Sequence, residues 1–175
     1  DAYGRYFFDA LTQNVFISFD PNYRGDLWKG DEAVFIKKCM PFIEKSDLCK
    51  FSKEEAQLLS RKKDLTEACN ALHEVGVQVI TITLGGDGTL VSTPKTKHTI
   101  PSINVKPVDT TGAGDAFIGC LLQQISTLND PREITSNIEL LLQMVKLANK
   151  AGAITTTNFG AIPSLPTMQQ LLTAK

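Results

Sequence analysis

Asp109-Thr110-Thr111-Gly112-Ala113-Gly114-Asp115 decides how the rest of the chain is read. The run 105–108 before it predicts the end of a strand. After it, Phe117, Ile118, Leu121, Leu122 and Ile125 recur at helical spacing. The chain therefore turns on two glycines straight into an amphipathic helix. Glycine lets a backbone pass close to another group. The helix start that follows offers unpaired N–H groups and roughly half a positive charge. Together these make a site for an anion. Asp115 places a carboxylate at the edge of that site, where repulsion is expected. A base beside a phosphate cradle points to a hydroxyl that loses its proton as a phosphoryl group arrives. An Asp in a helix's first turn is also favoured by the dipole alone, but a helix start does not call for two glycines. The motif is not a dinucleotide fingerprint, because Phe117 stands where the third glycine would be needed. It is not a P-loop either, because no Lys-Ser/Thr pair follows.

Outward from this stretch the pattern alternates helix and strand. Residues 3–11 predict a short helix and 15–19 a buried strand, closed by Asp20-Pro21-Asn22. A helix is expected from about Asp31 to Cys39, stopped near Pro41, and a short strand at 48–51. Ser52-Lys53-Glu54-Glu55 has the form of a capping box. Asp64, with Glu67 three residues on, caps a helix striped by Leu65, Ala68, Cys69, Leu72 and Val75 and ended by Gly76. Residues 77–84 form the strongest strand, apolar on both faces as in a sheet covered by helices. Gly85-Gly86-Asp87-Gly88 is a tight turn, and Thr89–Ser92 with 98–100 reads as a hairpin. Asp130-Pro131-Arg132-Glu133 is expected to start a helix whose face is Ile134, Ile138, Leu141, Leu142, Val145 and Ala148. A short run at 151–154 leads to a loop with Asn158-Phe159-Gly160 and Pro163, and a last small helix follows Pro166. This order gives an α/β domain with a mostly parallel sheet, whose ligands sit at the carboxyl ends of strands. Both glycine turns, after Leu84 and after Val108, fall at such ends. No linker divides residues 1–175.

The 175 residues suffice for a sizeable core. A net charge of −1 argues against general nucleic-acid or anionic-membrane binding. No apolar run approaches the roughly 18 residues of a membrane helix. The start, Asp1-Ala2-Tyr3-Gly4-Arg5, lacks the features of a signal peptide; it is not a methionine, which hints at a non-native beginning. Cys39, Cys49, Cys69 and Cys120 form no C-x-x-C pair, so a reduced, cytoplasmic protein is expected. His73 and His98 stand far apart and read as ordinary surface or packing residues, since a zinc site needs three or four converging ligands.

Asp109 to Leu122, DTTGAGDAFIGCLL, resembles the C-terminal signature of the ribokinase-like (phosphofructokinase-B type) sugar kinases. Cys120 is one departure, at a position where that family usually has Gly or Ala. The resemblance implies a ribokinase-like fold, a Rossmann-like, mostly parallel sheet with helices on both faces. It implies that Gly112, Ala113 and Gly114 form the anion hole for the transferred phosphoryl group and that Asp115 is the base. It implies ATP, Mg²⁺ and a monovalent cation such as K⁺. Thr83, Gly85 and Gly88 would line the ATP site, and the segment around Asn149 would meet the adenine. Glu55 would help hold the Mg²⁺–phosphate water network. Ser52 replaces the Asn of the family's Asn-x-x-Glu. Asp109, Thr111, Thr155, Gly160 and Ser164 align with a monovalent-cation site built largely of carbonyl oxygens. Gly-Gly-Asp-Gly-Thr at 85–89 also resembles a short motif of NAD kinases and diacylglycerol-type lipid kinases, whose fold would not supply DTTGAGD.

Asp20-Pro21-Asn22-Tyr23-Arg24, with Leu27-Trp28 after it, resembles a segment of bacterial and plant fructokinases, and so implies substrate roles for Asn22 and Arg24. Similar strings occur in 2-keto-3-deoxygluconate kinases, where Arg24 would suit a carboxylate through bidentate bonding. The expected activity is fructose to fructose 6-phosphate. The alternatives are the keto-acid sugar, or a non-catalytic nucleotide- or sugar-binding relative. The chain resembles the C-terminal part of a single kinase domain. Missing from it are the N-terminal βαβ units, the segment that grips the sugar, and the small β-sheet lid through which a homodimer is expected to form.

Overall fold

The structure, a computed structural model, describes residues 2–174. The chain divides into two compact units. One runs to Ile82 and takes in Ser92–Lys97; the other comprises Thr83–Val91 and the chain from His98 onward.

The first unit alternates helix and strand: α1 (Ala2–Thr12), β1 (Ser18–Phe19), α2 (Gly25–Trp28), α3 (Glu32–Ile43), β2 (Leu48–Ser52), α4 (Lys53–Ser60), α5 (Leu65–Val75) and β3 (Val79–Thr83). The strands lie side by side in chain order. β1 and β2 run parallel, with Ser18 opposite Leu48 and Phe19 opposite Cys49. The first four residues of both β2 and β3 are buried. That is the pattern of strands covered on both faces. Phe35, Ile43, Leu48, Phe51, Leu72 and Ile80 form the core of this unit. His73 is a packing residue: Nδ1 lies 2.7 Å from the Val77 carbonyl and Nε2 2.7 Å from the Ser92 hydroxyl.

Two expectations here are corrected. β1 covers only Ser18–Phe19, not 15–19. Ile17 N–H is taken at 2.8 Å by the Asp47 carboxylate rather than by a strand, and Val15 is exposed. The helix expected to stop near Pro41 runs on to Ile43. Pro41 lies in its last turn, so only one ladder donor is lost. Glu44 N–H bonds the Met40 carbonyl at 2.9 Å beyond it. Ile43 is fully buried, and such burial contributes about 1.5–3 kcal/mol against a proline penalty of about 3 in a helix interior.

The second unit holds a 3₁₀ turn at Gly85–Asp87, β4 (Thr89–Ser92), β5 (Lys97–Ile100), α6 (Ala113–Ile125), a second 3₁₀ turn at Pro131–Thr135, α7 (Ile138–Thr155), a third at Ile162–Ser164, and α8 (Met168–Thr173). So short a link makes β4 and β5 an antiparallel hairpin. α6 packs along α7, burying Phe117, Leu121, Leu141, Val145 and Ala148.

Three further expectations change in this unit. Residues 105–108 are not a strand. Pro107 removes a ladder donor, and Val108 and Asp109 N–H both bond the Thr156 carbonyl instead. The helix expected from Asp130 is two elements, because two caps compete. Asp130 Oδ1 accepts from Arg132 N–H at 2.9 Å, and Asn137 Oδ1 accepts from Leu140 N–H at 3.2 Å to start α7. The run 151–154 is not separate; it is the end of α7.

Candidate active site

In the second unit, Gly112 caps α6 at φ 79°. A Cβ there would lie 2.5 Å from the Cβ of Ala161 and 3.0 Å from its Cα. A side chain is therefore barred twice, by the left-handed backbone and by the loop lying against it. Gly112 also supplies no capping side chain. Ala113 N–H bonds the Thr110 carbonyl at 3.3 Å, and the first-turn N–H groups after it keep their positive ends for an external anion. Ala116 N–H bonds the Gly112 carbonyl at 2.8 Å and closes the first turn.

Ala113 and Gly114 line a cleft of about 380 Å³ together with Thr83, Gly85, Gly88 and Asn149. The structure thus gathers the helix start, the second glycine turn and the polar residue of α7 around one cavity. Gly85 stands at φ 61° with open space where its Cβ would be, while at Gly88 a Cβ would overlap the Ile100 carbonyl. Gly88 is thus first a packing glycine. Asn149 is buried, and its amide is committed within the protein. Oδ1 accepts from the Thr89 hydroxyl at 2.6 Å, and Nδ2 donates to the carbonyls of Ile100 at 2.9 Å and Pro101 at 3.3 Å. It fixes the wall of the cleft. Asp115 is exposed and lines a different cavity of about 310 Å³ with Gly119, Cys120, Leu165 and Met168.

Asp109 ties the loops behind the helix start. Oδ1 accepts from Thr111 N–H and Oδ2 from Gly160 N–H, each at 2.9 Å. The Thr111 hydroxyl first, then these two N–H groups, hold its carboxyl below the usual value. Thr155 closes α7 with its hydroxyl on the Ala151 carbonyl, and Ser164 donates to the Phe159 carbonyl. Asp109, Thr111 and Gly160 are thus directly joined. Thr155 and Ser164 stabilise the helix end and loop beside them. Phe117, Gly152 and the irregular stretch 102–105 also line the cleft; Gly152 belongs to the segment around Asn149 that the resemblance puts on the adenine, while Phe117 reads from sequence only as a core position of the helix and 102–104 carries no signal. The small-residue run around Gly152 was a usable signal, because a Cβ there would come 3.1 Å from the Ala113 carbonyl. The irregular stretch has no periodicity to read.

In the first unit, Ser52 and Glu55 form the expected reciprocal cap. Glu55 does more. Oε2 accepts from Ser52 N–H at 2.7 Å, and Oε1 accepts from Tyr23 N–H at 2.6 Å. It is 5% exposed, so a cation could reach only its remaining lone pairs. Burial first, then the Glu55 charge, pushes the Cys39 thiol up to about 11. Asn22, at φ 51°, and Arg24 are exposed. No group of three or more His, Cys, Asp or Glu among the described residues is placed to hold a metal ion. Among the same residues no helix is long and apolar enough to cross a membrane.

A glycine-bearing helix start opening on a cleft within the size range of small-molecule sites has the geometry of an anion-binding site in an α/β protein. Residues 1–168 match the pfkB family of carbohydrate kinases, and the chain belongs to that family. It is 36% identical over 164 residues to fructokinase-1 of Zea mays, covering 93% of this chain and 50% of that protein. A fructokinase double mutant from Vibrio cholerae O395, solved with fructose, ADP and potassium ion bound, superposes with a TM-score of 0.86 at 34% identity, over 95% of this chain and 52% of that one. Aminoimidazole riboside kinase from Salmonella enterica, solved with aminoimidazole riboside and an ATP analogue, gives 0.80 at 33%, over 91% and 52%. The chain spans about half the length of these relatives, and its fold is the ribokinase-like α/β fold they share.

Proposed function

We propose that the protein is an ATP-dependent sugar kinase that phosphorylates fructose to fructose 6-phosphate. The observation that carries this is the start of α6, where Gly112 supplies no capping side chain to the N–H groups that follow Ala113, and Ala113 and Gly114 line the cleft. ATP occupies that cleft with its phosphates toward Gly85 and the helix start. Asp115 takes the proton from the acceptor hydroxyl. The amides of residues 112–114 hold the negative charge that spreads over the migrating phosphoryl oxygens. Mg²⁺ bound to the nucleotide supplies further charge neutralisation, and one carboxylate plus phosphates is an adequate shell for it. Glu55, with both oxygens already accepting N–H groups, suits contact through metal-bound water better than direct ligation. The junction of Asp109, Thr111 and Gly160 suits a monovalent cation near the end of α7, where helix carbonyls lack intrahelical partners. Asn22 and Arg24 contact the sugar. The protein acts in the cytoplasm and pairs with a second copy of itself.

The 2-keto-3-deoxygluconate reading keeps one supporting observation: Arg24 is exposed, and its guanidinium, which donates from Nη1 to the Tyr23 carbonyl at 3.2 Å, has further N–H donors to offer a carboxylate. Assay of the full chain with ATP, Mg²⁺ and a sugar panel tests the proposal. Fructose should give the highest kcat/KM, and an excess of the keto-acid sugar should not compete. Preference for the keto acid, or nucleotide binding with no transfer to any sugar, overturns it.

A further inference from the structure

We propose that Lys50 is a positioning residue for sugar selection, its ammonium fixing the Asp20–Arg24 turn that presents Asn22 and Arg24. The proposal rests on the reading of those two side chains as sugar contacts. Lys50 is only 7% exposed and sits in β2 between the fully buried Cys49 and Phe51. A lysine there is costly unless its charge is paired. Its partner is Asp20, with Nζ 3.1 Å from Oδ2. A buried ion pair of this kind adds little net stability over an apolar pair, so its use here is better sought in geometry.

The geometry supplies that use. The other oxygen of Asp20, Oδ1, accepts from Asn22 N–H at 3.3 Å. Asn22 has a left-handed backbone at φ 51°, a conformation Asn tolerates when its neighbours hold it. Asp20 thus links a buried cation to the one strained residue of the turn. At the next residue, Tyr23 N–H is held by Glu55. The rings of Tyr23 and Trp28 pack on Phe35, with centroids 4.7 and 5.1 Å away. Both polar tethers originate in the β2–α4 junction, Lys50 to Glu55. Asn22 and Arg24 remain exposed on a turn in which Asp20 and Tyr23 are anchored, the arrangement expected of a preorganised binding loop. Removing Lys50 releases the Asp20 end only. The turn should shift and loosen the Trp28 ring on Phe35, while the Glu55 bond to Tyr23 N–H keeps the segment folded.

Lys50→Met, Lys50→Arg and Asp20→Asn in the full chain test this. Lys50→Met should raise the sugar KM at least about tenfold, with kcat and the ATP KM held within about twofold. Lys50→Arg should restore most of the affinity, and Asp20→Asn should reproduce the Met variant. Trp28, the sequence's single tryptophan, reports the segment directly. Its acrylamide quenching should rise in Lys50→Met and Asp20→Asn, with the melting temperature little changed in Lys50→Met and lowered in Asp20→Asn, which leaves the buried Lys50 charge unpaired. Unchanged sugar KM and unchanged quenching overturn the proposal, as do equal losses in kcat and in the KM of both substrates. Should Lys50→Met fail to fold, Asp20→Asn tests the same contact with the charge left in place. Should wild type phosphorylate no sugar, that failure falls on the sugar reading alone. The quenching comparison still decides whether Lys50 positions the turn.

Discussion

Gly112→Ala is the perturbation that bears most closely on the helix start. Two costs follow from the structure. The residue stands at φ 79°, and an L side chain in that region costs about 1–2 kcal/mol. The new Cβ would also sit 2.5 Å from Ala161 Cβ and 3.0 Å from Ala161 Cα. Overpacking of this kind costs about 1–3 kcal/mol. The expected loss is thus about 2–5 kcal/mol, with weakened nucleotide binding because the first amides of α6 must shift. The second cost can be separated from the first. Ala161→Gly removes the nearer of the two clashing atoms and leaves the backbone term untouched. In a four-protein urea-unfolding cycle, the double variant should recover about 1–2 kcal/mol relative to additivity. Ala161 has ordinary right-handed dihedrals, so Ala161→Gly alone should cost about 0.5–1 kcal/mol. A coupling energy under about 0.5 kcal/mol would refute the packing of loop 158–164 on the helix cap.

Asn149→Ala should destabilise by about 2–4 kcal/mol, because it strands the fully buried Thr89 hydroxyl and frees the Ile100 and Pro101 carbonyls. Thermal melting checks this, and a variant that melts like wild type but binds nucleotide poorly would make Asn149 a ligand rather than a clamp. Asp109 gives a pH signature. Its folded carboxyl titrates below the ordinary 3.8, so its contribution is full above that value and is lost as pH falls through the lower folded value. The stability gap between wild type and Asp109→Asn should therefore stay level from about pH 7 to 5 and shrink in more acidic buffer. A gap that widens on acidification would contradict the bonding of Asp109 to Thr111 and Gly160.

Local chemistry was legible in the sequence wherever cause and effect lie a few residues apart. The caps at Ser52 and Asp64 were of this kind, as were the hairpin begun by Thr89–Ser92 and the glycine turn into α6. The gathering of Thr83, Gly85 and Gly114 around one cleft did not follow from the strand-end rule, because no strand precedes Asp109; it followed from the family resemblance alone. What stayed hidden depends on distant partners. Asn149 reads as a polar residue late in a helix until Thr89, sixty positions away, takes its Oδ1. Glu55 reads as a cap until Tyr23 N–H claims its second oxygen. Pro41 reads as a stop because propensity does not know that Ile43 is buried. Residues 105–108 read as a strand because an apolar run does not reveal that Thr156 takes the N–H groups of Val108 and Asp109.

Steady-state turnover of Asp115→Ala, measured in the full chain with ATP, Mg²⁺ and saturating fructose, tests the proposed chemistry most directly. Loss of the base should lower kcat by about 10²–10⁴ while the ATP KM stays near that of wild type. Turnover close to wild type would contradict the assignment of Asp115 and leave the helix start a binding site without its base.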